Sequence, residues 1–147
     1  NAAEQTAGRL PSGWSYVLPT ESEWEYACRA GTTTAYSWGS SIATSNANYD
    51  ASGISQTRDV GQYAANPWGF FDMHGNVREW TADRYQAAYP TGNPVVDPTG
   101  PASGSSRVER GGSWFLDGAY LRSARRIDLP PSYRNYFIGF RVGFQKQ

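Results

Sequence analysis

Short motifs that pair aromatic residues with glycine, asparagine or arginine recur along this chain and bound the folds open to it. They read LPTESEWEYACRAGT (18–32), WGFFDMHGNVREWTADRY (68–85), RVERGGSW (107–114), LRSARR (121–126) and IGFRVGF (138–144). Sixteen glycines imply many turns and close backbone approaches. Six tryptophans and ten tyrosines can bury large areas, but their N–H and O–H groups need partners. Such a chain predicts a compact domain tied by buried polar contacts. It argues against a bundle of long helices.

The clearest local signal is a helix over 21–30. Thr20 and Glu23 form a capping box, in which the hydroxyl takes a free helix N–H and the carboxylate returns to the cap N–H. Glu21, Glu23 and Glu25 favour the positive helix start. Trp24, Ala27 and Cys28 share one face, and Gly31 supplies the stop. Residues 1–13 read as a helix tail running into a loop, and 16–18 as a short strand. Residues 32–67 and 86–106 are rich in turn formers and read as loops. Short pieces are expected at 70–73 and 76–81, around the turn at Gly75 and Asn76. Strands are expected at 107–110, 121–126 and 137–144. In the last of these, Phe140, Val142 and Phe144 alternate with Arg141. The sum is an α+β domain of short strands and long loops.

Thirteen basic residues balance thirteen acidic ones, so no electrostatic footprint for nucleic acid appears. No run has the length of a membrane span. The one cysteine, Cys28, excludes an internal disulfide and a cysteine-based zinc site. The compartment stays open, since a reduced cytosol and a secreted domain without disulfides both fit.

In this order, the motifs LPTESEWEYACRAG, GFFDMHGNVREWTAD, RGGSW, LRSARR and IGFRV resemble the formylglycine-generating enzyme, or sulfatase-modifying factor, family. The resemblance runs from Leu18 to Phe144. It implies the family's variant of the C-type lectin-like fold, with short twisted, mostly antiparallel strands, few helices and long loops. Members carry a further strand–helix segment before the LPT motif, where only 1–17 stands here. Residues 1–147 are therefore expected to be a single domain, the C-terminal part of a full one, completed by an upstream segment.

The family's oxidase holds copper(I) and its substrate through two cysteines in a loop after RGGS. Here that stretch, residues 114–121, has no cysteine, so neither copper nor oxidase chemistry is expected. Cys28, on the packed face of its helix, reads as a small buried hydrophobe. Another branch of the family uses a three-histidine iron site on a separate helical domain. This chain has only His74, which reads as a loop side chain with a local hydrogen bond. The resemblance does imply a structural calcium site, with carboxylates from Asp72 and Glu79 and backbone carbonyls from Gly75 and Val77. The alternative for Glu79 is an ion pair with Arg78 or Arg110. Asn46, Asn48, Asp50 and Ser52 offer further oxygens, for which turn chemistry outweighs a second calcium loop. Arg110, Arg122, Arg125, Arg134 and Arg141 read as buried forks tying loops together, ahead of an anion pocket.

Between the later motifs lie bulky, varied residues. This segment resembles the variable region of retroelement-diversified proteins, which share the lectin-like scaffold. Adenine mutagenesis of AAC codons leaves codons ending in C, which cannot encode Lys, Glu, Gln, Met or Trp. None of those occurs at 115–120, 127–129, 132–133 or 135–137. Tyrosine and phenylalanine give contact area at low entropy cost, and Asp, Asn and Ser give adaptable hydrogen bonds. The expected binding residues are Phe115, Leu116, Asp117, Ala119, Tyr120, Ile127, Asp128, Leu129, Ser132, Tyr133, Asn135, Tyr136 and Phe137. Of these, Tyr120, Asp128, Tyr133, Tyr136 and Phe137 are expected to be exposed, whereas for Phe115, Leu116 and Leu129 inward packing is the alternative, of equal weight for the aliphatics. The expected function is non-catalytic recognition of a protein or other surface ligand. The alternatives are an enzyme or enzyme subunit of the same family, with its catalytic parts upstream, and a structural domain without a ligand.

Overall fold

The computed structural model describes residues 1–89, 91 and 95–146. Part of the loop expected over 86–106 therefore lies outside the described residues. Two helices, α1 (Ala2–Thr6) and α2 (Glu21–Arg29), accompany six short strands among the described residues. The strands are β1 (Trp14–Val17), β2 (Arg78–Arg84), β3 (Arg107–Arg110), β4 (Ile127–Leu129), β5 (Ile138–Phe140) and β6 (Gly143–Lys146). They form a four-stranded sheet ordered β4-β3-β2-β5 and a two-stranded ribbon of β1 and β6.

Helix α2 forms where its caps predict. The Thr20 hydroxyl accepts the Glu23 N–H, and the Glu23 carboxylate accepts the Thr20 N–H. Its C-terminus differs by one residue. Ala30, at φ 47°, takes the left-handed position expected of Gly31, which follows at φ 87°. Trp24 and Cys28 then pack with Met73 in one small apolar cluster. A second holds Tyr36, Ala47, Tyr49 and Leu121, with Leu116 against it.

The expected strand at 121–126 does not form. Leu121 ends a 3-10 turn (Gly118–Leu121), and Arg125 N–H closes a further turn on the Arg122 carbonyl. The strand begins only at Ile127, just past the expected segment, where the backbone pairs with β3. The strand expected over 137–144 is broken in two. β5 runs parallel to β2, and β6 leaves to pair antiparallel with β1. The break falls at Arg141, whose guanidinium is held by Glu79. Phe140, Val142 and Phe144 are all solvent-exposed.

Buried charge supplements the small apolar core, as the motifs predict. Arg110 is fully enclosed, donates to Glu25 and to the Arg125 carbonyl, and lies over the Trp24 ring. Arg141 is also a fork, on Glu79. Arg122, Arg125 and Arg134 are exposed instead. The third fork is Arg126, which grips Glu21 at 2.6 and 2.7 Å between the rings of Tyr85 and Tyr89.

Candidate recognition surface

Two loops held by the four-stranded sheet meet through their aromatic side chains. The first leaves β3 through Gly111 and Gly112 and carries Trp114 to Tyr120. The second joins β4 to β5 and carries Ser132 to Phe137. Phe115 packs on Phe137 with ring centres 4.6 Å apart, and Trp114 stacks on Tyr136 at 5.8 Å. Tyr133 and Tyr136 flank Phe137 at 6.5 and 5.5 Å. Beneath them, the Arg78 guanidinium lies over the rings of both Phe115 and Phe137.

Exposure divides the predicted residues. Tyr136 is 73% exposed, and Tyr120, Tyr133, Asp128 and Ser132 also face solvent. Phe137 was expected among the exposed residues, but it is buried to 9%. Its ring fills the space between Arg78 and Phe115, and its carbonyl accepts the Arg78 N–H at 2.9 Å, so it anchors the loop. Leu116 likewise packs inward against the Tyr36, Tyr49 and Leu121 cluster. Asp117 is exposed and caps the 3-10 turn by accepting the Ala119 N–H at 2.8 Å. That turn lifts Ala119 and Tyr120 outward, with the Arg125 guanidinium 4.8 Å from the Tyr120 ring centre. Asp128 points out of β4 between the half-buried Ile127 and Leu129.

Asn135 steadies the second loop, since its amide donates to the Tyr133 hydroxyl and its side-chain oxygen accepts the Tyr136 N–H. With Trp80, Tyr133 and Ile138 it lines a depression of about 290 Å³. Two contributors escaped the sequence reading. Trp114, at the end of the RGGSW motif and outside the expected binding residues, supports Tyr136. Arg78 was considered only as a partner for Glu79. The signal for it was present, because alternation along β2 turns Arg78 and Trp80 away from the buried Glu79.

Under this surface Arg78 meets Glu109, with 3.6 Å between guanidinium and carboxylate. Glu109 is fully buried, and neither of its oxygens accepts a hydrogen bond from the protein. Burial pushes its carboxyl up to about 7, against the opposing pull of Arg78.

The reactive candidates are closed off. Cys28 is fully buried, and burial pushes its thiol up to about 12. His74 is buried, which lowers its imidazole to about 4. The neutral ring donates from Nδ1 to the Leu121 carbonyl at 2.7 Å and accepts the Ser37 N–H at Nε2. The expected hydrogen-bonding role is thus found, but it is not local: the buried ring ties its turn to two segments distant in sequence. Asn48 and Ser52 bond to each other and to nearby carbonyls, as turn chemistry predicts.

Asp72, Gly75, Val77 and Glu79 line one cavity of about 400 Å³. The donor types suit a hard cation. Glu79 already has partners, however. Its carboxylate accepts from Arg141 at 2.5 and 2.6 Å and from the Trp24 indole at 2.6 Å. The ion-pair alternative thus has a partner, but it is Arg141. Arg78 turns to Glu109, and Arg110 to Glu25.

Few short helices, a mixed sheet and long ordered loops define the formylglycine-generating-enzyme type of C-type lectin-like fold. The chain belongs to the sulfatase-modifying factor enzyme 1-like domain family, which matches residues 2–145. It is 35% identical over 141 residues to the formylglycine-generating enzyme of Streptomyces coelicolor, covering 84% of this chain and 45% of that one. It is 42% identical over 127 residues to the serine/threonine-protein kinase pkn1 of Chlamydia caviae, covering 84% of this chain and 20% of the kinase. Among solved structures, Treponema denticola variable protein 1 superposes with a TM-score of 0.82 at 37% identity, over 90% of this chain and 48% of that one. PvdO from Pseudomonas aeruginosa superposes with a TM-score of 0.81 at 28% identity, over 99% and 56%. The chain spans less than half the length of the formylglycine-generating enzyme it matches.

Proposed function

We propose that this chain is a non-catalytic recognition domain. Its binding face would be built on the loops at 115–120 and 127–137, and its partner would be a protein or another surface ligand. The observation that carries this reading is the pairing of outward tyrosines with a rigid base. Tyr136 stands out from the surface while Trp114, Phe137 and Arg78 hold its loop from behind. Aromatic contact area on preorganised loops suits recognition, because little order remains to be gained on binding. Likeness to a variable protein supports the same reading. Likeness to formylglycine-generating enzymes favours the rival, an enzyme or enzyme subunit, but the stretch after RGGS offers Phe115 and Leu116 and no thiolate.

Two assays separate these readings. Probing arrays of surface proteins and glycans with the domain is expected to return a saturable protein partner. Copper(I) titration and oxygen uptake with a cysteine-containing peptide are expected to show nothing above buffer. Oxygen consumption by the protein, with no array partner, would reverse the assignment.

We also propose a structural calcium ion held by Asp72, Gly75, Val77 and Glu79. The ion would share Glu79 with Arg141. Chelation is expected to lower the melting temperature by about 5 °C or more, reversibly on re-addition. An unchanged melting temperature means that the Glu79–Arg141 pair holds this turn unaided.

A further inference from the structure

A cavity of about 390 Å³ lies outside the recognition face, between α2, the end of β2 and the loop that follows it. Its size is that of a small-molecule site. Tyr26, Ala88, Tyr89, Pro98 and Pro101 give it apolar walls. Hydrogen bonds hold those walls in place. The Ser22 hydroxyl donates to the Pro98 carbonyl at 3.3 Å. The Arg126 guanidinium lies 4.4 Å from the Tyr89 ring centre and donates to the Gln86 carbonyl at 2.8 Å.

Six charged residues also line the cavity: Glu21, Glu25, Arg29, Asp83, Arg84 and Arg126. Most of them already have partners. Arg126 grips Glu21, Arg29 donates to Glu25 at 2.8 Å, and Arg84 donates to the Gly104 carbonyl. Asp83 is the one lining carboxylate without a guanidinium partner among the described residues. It is 4% exposed, turned inward by the alternation along β2. Its Oδ2 accepts the Glu21 N–H at 2.6 Å, while its Oδ1 accepts no hydrogen bond from the described residues. The loop beside this oxygen carries Gly100, where a Cβ would stand 3.1 Å from Oδ1. The glycine thus leaves open a space that any other residue would crowd. Burial raises the Asp83 carboxyl above its ordinary value, against the pull of the Glu21 N–H and of Arg126. A buried carboxylate with an open oxygen and no cation of its own is half of an ion pair.

We infer that this cavity binds a small organic cation, a primary amine on a flat apolar body, whose ammonium donates to Asp83 Oδ1 while the body lies against Tyr26, Tyr89 and the prolines. An ammonium supplies the donors that Oδ1 lacks. Inside a partly enclosed cavity such a charge-assisted bond is stronger than in water. A neutral molecule of the same shape would leave the Asp83 charge uncompensated, and an anion would meet it directly. The site shares no lining residue with the recognition face, so neither assignment depends on the other.

Calorimetric titration of the protein with phenethylamine tests this, against its uncharged isostere phenethyl alcohol and the anionic hydrocinnamate. Phenethylamine is expected to bind at one site, about tenfold or more tighter than the alcohol, with hydrocinnamate weaker still. Asp83→Asn keeps an acceptor for the Glu21 N–H and removes the charge, so it is expected to cut amine affinity by about tenfold or more. Three results would each overturn the inference: no saturable binding of the amine, equal binding of the alcohol or hydrocinnamate, or unchanged amine affinity in Asp83→Asn. So would equal binding of an acetylated, amidated lysine, which would assign the site to the side chain of a protein partner. Should Asp83→Asn unfold, Ala124→Trp fills the cavity from an exposed lining position. That variant is expected to lose the amine, and full affinity in the folded variant would reject the assignment.

Discussion

Gly75→Ala is expected to leave little or no folded protein. Gly75 sits at φ 85°, where an L side chain is strained by about 1–2 kcal/mol. Its new Cβ would lie 2.3 Å from the Asn48 carbonyl oxygen and 3.0 Å from Leu121 Cδ2. The first contact is with backbone and cannot be relieved by a rotamer change. Nor can the turn drift away, because Gly75 N–H donates to Gly111 and Asn76 N–H donates to that same Asn48 carbonyl, both at 2.8 Å. Overpacking adds about 1–3 kcal/mol or more to the strain. The total approaches the whole stability of a small domain. Soluble yield and urea denaturation are the readouts. A variant within about 1 kcal/mol of the parent would show that this turn is freer than described.

Breaking the pair between Glu79 and Arg141 is expected to cost nearly as much. Glu79 is buried on β2 and accepts from Trp24 of α2 and from Arg141 beyond β5. One carboxylate thus joins the helix, the sheet and the start of β6. Arg141→Ala leaves that carboxylate with the indole alone, and Glu79→Ala leaves the half-buried guanidinium with only the Phe71 carbonyl. Each single change is expected to destabilise by about 3–5 kcal/mol, because the partner left behind remains desolvated. The double variant should cost clearly less than the sum, since the second change removes the orphan. Simple additivity in a denaturation cycle would mean that the two groups do not act as a pair.

What could be read from the sequence was local. The capping box at Thr20, the packed Cys28 and the outward Tyr136 each follow from neighbouring residues. The family motifs carried the fold class. Pairings between distant segments were harder to read. Nothing near Phe137 announces that Arg78, on another strand, will lie against its ring and bury it. The break at Arg141 depends on Glu79, and the parallel seat of β5 depends on β2. Periodicity alone joined 137–144 into one strand, because both halves alternate. For Leu116 the sequence leaves binding and inward packing equally open, and the Tyr36 and Tyr49 cluster brings it inward. Loop residues of this kind are sorted only by what the rest of the fold brings against them.

In the proposed recognition face the outward tyrosines would bind and the residues behind them would hold. Tyr120→Ala and Tyr136→Ala combined in one protein test this claim most directly, by titration against the partner found on the array with a thermal melt alongside. Both side chains are exposed, so the melting temperature should stay within about 2 °C of the parent. Affinity should fall by about a hundredfold or more, the loss typical of removing aromatic anchors. Undiminished binding by a folded double variant, or unfolding of the domain, would contradict the claim.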